Sequence, residues 1–123
     1  LLFHGDRAKL AALLWDEFDR FDMNIRIAVI NFIKVSTLDY CEEFFSLLIN
    51  KYTHKEIKLA IIRYFGKMTY APAGDYLVEL MRHETPEWEY RAIAATALAK
   101  YKNKEVVDVL KESLKSNIKK WQI

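Results

Sequence analysis

Apolar residues recur along this chain at helical spacing, and the whole pattern repeats about every 32 to 33 residues. Segment 24–33 aligns with 56–65 at a shift of 32, and 56–65 aligns with 89–98 at a shift of 33. Within each segment the apolar positions lie three and four residues apart, which is the spacing of one helix face. A fixed period of this length predicts an array of stacked helical hairpins, because one hairpin cannot bury both of its apolar faces alone.

The pattern predicts seven helices and no strand, at 6–20, 23–35, 38–51, 54–67, 72–83, 86–101 and 104–116. The inward residues of the first helices are Ile25, Ala28, Val29, Phe32, Ile33, then Ile57, Ala60, Ile61, Tyr64, Phe65, then Tyr90, Ile93, Ala94, Ala97, Leu98. Those of the second helices are Cys41, Phe44, Phe45, Leu48, Ile49, then Ala73, Tyr76, Leu77, Leu80, Met81, then Val106, Val109, Leu110, Leu114. Residues 6–20 resemble the second helix of an earlier hairpin, with Ala8, Ala11, Ala12, Leu14 and Phe18 inward.

Capping residues mark several of the predicted helix starts. Thr53 and Glu56 have the spacing of a capping box, and Thr85 precedes a proline that suits the first helical position. The second helices are predicted to start near Ser36-Thr37, Ala71-Pro72 and Asn103.

Composition agrees with a packed helical domain. Of the 123 residues 52% are hydrophobic, with only 3 Gly and 2 Pro, and the net charge of +2 is too small to indicate a polyanionic partner. The single Cys41 cannot form an internal disulfide, which favours a reducing, cytoplasmic location. No apolar run approaches the ~18 residues of a membrane span, so this segment is expected to make no membrane contact.

The chain is expected to be one domain cut from a longer array. It begins with Leu1, and Trp121-Gln122-Ile123 matches Trp88-Glu89-Tyr90. We predict repeats at about 22–52, 53–84 and 85–116, with partial repeats at 1–21 and 117–123. Signals in the rest of a parent protein, including a membrane anchor, stay open.

These residues resemble HEAT repeats, in particular the short bacterial subtype related to phycobilin-lyase-type repeats. The resemblance rests on the Trp-x-x-Arg-x-x-Ala opening formed by Trp88, Arg91 and Ala94 and on the following segments 97–99 and 105–111. It covers about residues 22–123. It implies an all-α fold, a right-handed α–α superhelix of about three full hairpins with truncated ends.

In this family a basic residue at the repeated position of Arg26, Lys58 and Arg91 usually bridges to an acidic group of a neighbouring repeat. An anion-binding ladder is the alternative. The resemblance also implies that second helices line a concave face. The matched columns expected there, as the partner-binding residues, are Glu43, Asp75 and Asp108; Leu47, Glu79 and Glu112; and Asn50, Arg82 and Lys115. Pairs such as Glu79 with Arg82 also suit i,i+3 attraction.

Other chemistry-bearing residues favour structural roles. Trp88 and Trp121 recur at one position and are expected to pack on the adjacent repeat, whereas Trp15 could be a partner contact or an exposed core residue. Cys41 lies on an apolar stripe and is interpreted as a small buried hydrophobe. His4, His54 and His83 lack metal-site spacing, and His83-Glu84 is not repeated as in HEAT-type di-iron hydroxylases. No metal, cofactor or catalytic residue is predicted.

Three functions remain open. The first is a non-catalytic protein-interaction scaffold whose groove binds another protein or peptide. The second is an enzyme subunit similar to bilin lyases. The third is nucleic-acid binding through the basic last third, which holds Lys100, Lys102, Lys104, Lys111, Lys115, Lys119 and Lys120. Interspersed acidic residues disfavour the third, and the scaffold is the preferred hypothesis.

Overall fold

A computed structural model describes residues 4–82, 88–101, 108 and 111–112 of the chain. Helices account for most of these residues, and no strand occurs among them. The elements in order are α1 (His4–Asp16), a 3₁₀ turn (Phe18–Arg20), α2 (Met23–Ser36), α3 (Cys41–Ile49), α4 (Lys55–Met68), α5 (Ala71–Arg82) and α6 (Trp88–Leu98). The all-α fold class is therefore confirmed, and it is consistent with an α–α solenoid.

The helices predicted at 23–35, 54–67 and 72–83 agree with α2, α4 and α5 to within one residue at each end, and the one predicted at 86–101 extends three residues beyond the end of α6. The first helix is an exception, because α1 ends at Asp16 and a separate 3₁₀ turn follows. The third is shorter than predicted, since Asn50 adopts extended backbone after α3. Most of the helix predicted at 104–116 lies outside the described residues, although 108, 111 and 112 are helical.

The chain divides into two compact units, unit 1 (Leu1–Tyr64) and unit 2 (Phe65–Ile123), and the division falls inside α4. The repeat boundaries expected from the sequence stay a prediction. Within the part of the chain that the structure covers, no helix combines the length and the apolar character needed to span a membrane.

Aromatic side chains form the centre of unit 1. Trp15 lies 4.9 Å from Phe18 and 4.9 Å from Phe44 between ring centroids, and Phe44 meets Tyr64 edge-on at 4.8 Å. Such tilted and edge-on contacts add to the stabilisation gained by burying the rings. Trp15 is thus a half-buried core residue, and a partner contact through its exposed part stays a prediction.

Close helix contacts shape unit 2. A Cβ added to Gly66 would lie 3.0 Å from the Cα of Ala97, and one added to Gly74 would lie 2.8 Å from the Tyr101 ring. The Tyr101 hydroxyl donates to the carbonyl of Tyr70 at 3.0 Å, just before α5 begins. These glycines therefore permit helix and ring approaches that a larger residue would obstruct.

The predicted inward stripes are correct for α4 and only partly correct elsewhere. All five predicted residues of α4 are buried, together with Leu59 and Ile62. On α2, Val29 and Ile33 are buried as expected, but Ile25 and Ala28 are exposed. The other predicted inward residues that are exposed are Ala8, Ala12 and Ile49. The stripe of Val106, Val109, Leu110 and Leu114 lies outside the described residues.

Helix starts show which capping signals the structure uses. The Asp22 carboxylate accepts a hydrogen bond from the Ile25 N–H at 2.9 Å and caps α2. The capping box predicted at Thr53 is wrong, because α4 starts one residue later and the His54 carbonyl accepts the first helical bond, from Lys58. Thr37 does not start a helix, since it ends α2 with a φ of 59°.

The start of α5 at Ala71 is confirmed. Thr85-Pro86 and Asn103 lie outside the described residues.

Candidate functional site: the outward face of α3 and its cavity

The residues predicted to bind a partner lie at the surface in both units. On α3, Glu43 and the following Asn50 are exposed and Leu47 is half-buried, at positions separated by four and three residues. On α5, Asp75, Glu79 and Arg82 repeat this spacing, and all three are exposed. Asp108 and Glu112 are exposed too, while Lys115 lies outside the described residues. That these columns share one concave groove stays a prediction.

A cavity of about 160 Å³ opens beside the end of α3 in unit 1. Two of the sequence-predicted residues, Leu47 and Asn50, line it. The remaining lining residues were missed by sequence reasoning as members of a site, and they come from the 3₁₀ turn, α2, the turn between α3 and α4, and the first turn of α4: Phe18, Asp19, Arg26, Tyr52, Thr53, His54 and Ile57. The cavity therefore joins segments that the repeat alignment treats separately.

Arg26 holds the 3₁₀ turn that forms one wall of this cavity. Its Nε donates to the carbonyl oxygens of Phe18 at 3.1 Å and Phe21 at 2.9 Å, and its Nη2 donates to that of Asp19 at 2.7 Å. The guanidinium carbon also lies 5.5 Å from the centre of the Phe18 ring, which is cation–π distance. Arg26 thus holds the backbone of the 3₁₀ turn and of the residue after it in place, by donating hydrogen bonds to three of their carbonyl oxygens.

The predicted ion-pair column is wrong for Arg26, because carbonyls rather than an acidic group occupy its donors. In unit 2 the equivalent Arg91 has a buried Nε that makes no hydrogen bond. Lys58 forms no ion pair within the described residues. The repeated basic position therefore serves different local needs, and an anion ladder gains no support from these contacts.

Asn50 builds the turn at the cavity rim. Its side-chain Oδ1 accepts from the Tyr52 N–H at 2.8 Å, and its carbonyl accepts from the Thr53 N–H at 3.2 Å. These bonds hold Tyr52 outward with its side chain 81% exposed, and the Lys51 ammonium lies 4.9 Å from its ring centre. An Asn directly after a helix and before a turn is the sequence signal that could have identified this role.

The acidic and basic pair expected on α5 is present. Arg82 Nη1 lies 3.7 Å from Glu79 Oε1, and both side chains are about half exposed. An exposed i,i+3 pair of this kind contributes only ~0.2–1 kcal/mol to stability, because water screens it. Its charges are therefore available to a partner at small cost to the fold.

Cys41 and Tyr64 form a buried polar contact at the start of α3. The thiol sulfur lies 3.6 Å from the Tyr64 hydroxyl, which accepts from the Tyr40 N–H at 2.9 Å and donates to the Leu38 carbonyl at 3.3 Å. Burial, and next a hydrogen bond to Asp39, raise the pKa of Cys41 to about 11. A thiol with this pKa stays protonated and a poor nucleophile near neutral pH, so the prediction of a buried structural cysteine is confirmed.

The structure gives separate results for the remaining candidates, which are the recurring tryptophans, the possible metal ligands and the basic segment. Trp88 is 69% exposed, so its predicted packing against a neighbouring repeat is wrong. Within residues 4–82 and the described later positions, no three His, Cys, Asp or Glu side chains are arranged to hold a metal ion. Lys100 and Lys111 are exposed. Outside the described residues lie Trp121, His83, Glu84 and the other five lysines of the basic segment.

Comparison with known proteins gives one match. Residues 41–121 match the family model for HEAT repeats, which covers well over half of the chain. Neither the curated proteins nor the solved structures include a match. Repeats of this family generally mediate protein interactions. The paired helices, the 32- to 33-residue period and this match together show that the chain belongs to the HEAT-repeat family.

Proposed function

We propose that this chain is a non-catalytic interaction scaffold that binds a protein or peptide on the outward face of its second helices. The proposal includes the concave-face columns on α3 and α5, with Asp108, Glu112 and Lys115 as the matched positions of the last repeat. Membership of the HEAT-repeat family supports a protein partner in general. The choice of α3 as the main contact is supported by features of unit 1.

The observation that carries the proposal is the cavity beside α3 with Tyr52 at its rim. At about 160 Å³ the cavity is smaller than the ~300–1,000 Å³ typical of cofactor and drug-like ligand sites. It has room for one side chain of a partner. Exposed tyrosines are among the residues that most often anchor protein interfaces, because they bury a large area and lose little entropy.

Charge on the second helices supplies the selective part of the proposed contact. Glu43 on α3 and the triad Asp75, Glu79 and Arg82 on α5 are exposed, so a partner can pair with them without disturbing a core. Charged groups at an interface rim mainly set orientation and exclude wrong partners. The cavity then supplies affinity, and the charged columns supply specificity.

Peptide selection against the whole 123-residue chain tests this proposal. Peptides chosen from a displayed library would be titrated by calorimetry, and their site mapped by amide chemical shifts. We expect shifts at Leu47, Asn50 and Tyr52, and a loss of about tenfold or more in affinity for Tyr52→Ala, as for an interface anchor.

Two further variants sharpen the test. Charge reversal by Glu79→Lys with Arg82→Glu should weaken a partner that spans the α5 column. Arg63→Ala is the matched control, because Arg63 is exposed on α4 and does not line the cavity. Binding that tolerates Tyr52→Ala, Glu43→Lys and the α5 reversal alike would contradict the proposal.

A further inference from the structure

Helix α2 carries three apolar residues on one outward face. Ile25, Ala28 and Phe32 are separated by three and four residues, so they lie together along the helix, and they are called the α2 stripe. Ile25 is 45% exposed, Ala28 is exposed and Phe32 is half-buried. None of the three lines the α3 cavity. The α2 stripe is therefore a separate surface, and its role does not depend on the proposed function.

The aligned residues of α4 show that this pattern is buried elsewhere in the chain. Ile57, Ala60 and Tyr64 repeat the order of isoleucine, alanine and aromatic ring at a shift of 32. All three are at most 2% exposed. The α2 stripe therefore has the composition of a face that packs against another element in this protein.

Positions beside the pattern are open to solvent on both helices. Asn24 and Asn31 lie next to the α2 stripe and are exposed, and the aligned Glu56 and Arg63 on α4 are exposed too. Polar residues thus occupy the positions that solvent reaches, and apolar residues occupy those that a neighbour covers. The comparison with α4 defines which α2 positions a neighbour would bury and which it would leave exposed.

On α4 the neighbour is the hairpin that precedes it in the chain. The Tyr64 hydroxyl accepts from the Tyr40 N–H at 2.9 Å and donates to the Leu38 carbonyl at 3.3 Å. The Tyr64 ring meets Phe44 edge-on at 4.8 Å. Leu38 and Tyr40 lie in the turn between α2 and α3, and Phe44 lies on α3. This position of a first helix therefore faces the preceding hairpin.

The same position of the next repeat faces in the same direction. Ala97 on α6 aligns with Tyr64 and with Phe32. A Cβ added to Gly66 on α4 would lie 3.0 Å from the Ala97 Cα. Here the covering element is the first helix of the preceding hairpin. Two repeats thus agree that a preceding hairpin covers this face, and one of them shows that its first helix takes part.

Helix α1 supplies only the second helix of the equivalent hairpin before α2. It packs against α2, and it aligns with α3 and α5 through buried Ala11, Phe44 and Leu77 at matched positions. Ile25 and Ala28 are still exposed with α1 in place. We infer that the α2 stripe binds the first helix of one further HEAT hairpin, a helix that pairs with α1 and covers the stripe with an uncharged apolar face.

The apolar character of the stripe sets the chemistry of this helix. A charged side chain placed over Ala28 would lose its water without gaining a partner, which is costly. The occupant is therefore an amphipathic helix with apolar residues at three- and four-residue spacing, as on α2 and α4 themselves. Copies of these two helices are suitable probes.

Two extended proteins supply such a helix to the whole chain. In one, a copy of segment 22–40 replaces residues 1–7 and brings a second α2 with its turn ahead of α1. In the other, a copy of segment 54–73 replaces the same residues and brings a second α4. Both joins keep the register in which Ala11 aligns with Phe44 and Leu77. The two extensions share the apolar pattern but differ in sequence, so the result does not depend on one design.

Thiol alkylation in the unextended and extended proteins measures burial of the stripe. Ala28→Cys is compared with Asn31→Cys, which is the matched control because the aligned Arg63 is exposed on α4. We expect the alkylation rate at position 28 to fall about tenfold or more on extension and that at 31 to change less than about twofold, because a covered thiol reacts only when the contact opens. Native Cys41 is buried and reacts slowly.

Three results would overturn the inference. They are a reactivity at position 28 that neither extension lowers, a slowing that is equal at 28 and 31, and extensions that add no helical signal in circular dichroism. Slowing at 28 in the unextended chain, as its concentration rises from about 5 to 500 µM, would assign the stripe to a second copy instead.

Discussion

At the scale of single residues, position in the repeat does not determine the contact that a side chain makes. Arg26 and Arg91 align, yet Arg26 donates to three carbonyls and Arg91 leaves a buried Nε unpaired. Tyr64 is a second example, because its hydroxyl accepts a hydrogen bond from the Tyr40 N–H and donates one to the Leu38 carbonyl, both just before α3. Hydrogen bonds to backbone carbonyls leave no periodic signal in a sequence, so the alignment could not predict these contacts.

Because the Cys41 thiol is buried, the stability of the folded chain is expected to depend on pH, and this dependence can be measured. Its pKa rises from an ordinary value of 9.0 to about 11 in the folded chain, so the folded state holds the proton more tightly than the unfolded state. The resulting stabilisation is complete below pH 9 and disappears as the pH rises through about 11. Burial also raises the pKa of Tyr64, which adds a loss in the same direction.

We therefore expect the free energy of unfolding from urea titration to fall between pH 9.0 and about 11 more steeply in the native chain than in Cys41→Ala. The difference between the two proteins isolates the thiol from lysines and other tyrosines. Equal slopes would show that the thiol is not stabilised in its protonated form. Slow alkylation of Cys41 at neutral pH, accelerated by urea, is the supporting measurement.

At the scale of helices, the amphipathic period predicts well which segments are helical. It predicts less well where each helix begins and ends. The buried residues of α4 follow the expected pattern, because neighbours cover that helix on most sides. On α2 the same spacing includes exposed Ile25 and Ala28, because the period identifies an apolar face but not the presence of a neighbour. Caps show the same limit, since Thr53 has the required spacing but the helix starts after His54.

The two candidate capping residues, Asp22 and Thr53, are expected to contribute differently to the free energy of unfolding. Asp22→Ala should lower the free energy of unfolding by about 1 kcal/mol, because the Ile25 N–H loses its acceptor. Thr53→Ala should change it by less than about 0.5 kcal/mol, because its hydroxyl caps no helix. Urea denaturation followed by circular dichroism measures both. A larger loss for Thr53→Ala than for Asp22→Ala would restore the capping box and contradict the observed start of α4.

At the scale of the whole molecule, α4 is the element that both compact units share. Its residues up to Tyr64 belong to unit 1 and those from Phe65 onward to unit 2, and both of these rings are fully buried. The sequence alignment predicts this helix at 54–67 and says nothing of a division within it. The candidate site was predicted in part, since Leu47 and Asn50 line the cavity, but its walls also include the 3₁₀ turn and the turn between α3 and α4, which the alignment does not cover.

A proline in the middle of α4 tests how far each unit depends on this helix. Arg63 is exposed, so Arg63→Pro removes no core side chain, but it breaks the helix at a cost of about 3 kcal/mol or more. We expect amide exchange to accelerate in both units, whereas Arg63→Ala leaves it nearly unchanged. Acceleration confined to one unit would show that the other folds without an intact α4.

The close contact between the Tyr101 ring and Gly74 limits how these two positions can change in evolution. A larger side chain at position 74 would displace that ring, and the displacement would break the hydrogen bond from the Tyr101 hydroxyl to the Tyr70 carbonyl. The two sites are therefore not free to drift separately. Among descendants of this sequence, a bulkier residue at 74 is expected only where 101 has already become smaller, so the order in which mutations arrive decides which of them survive.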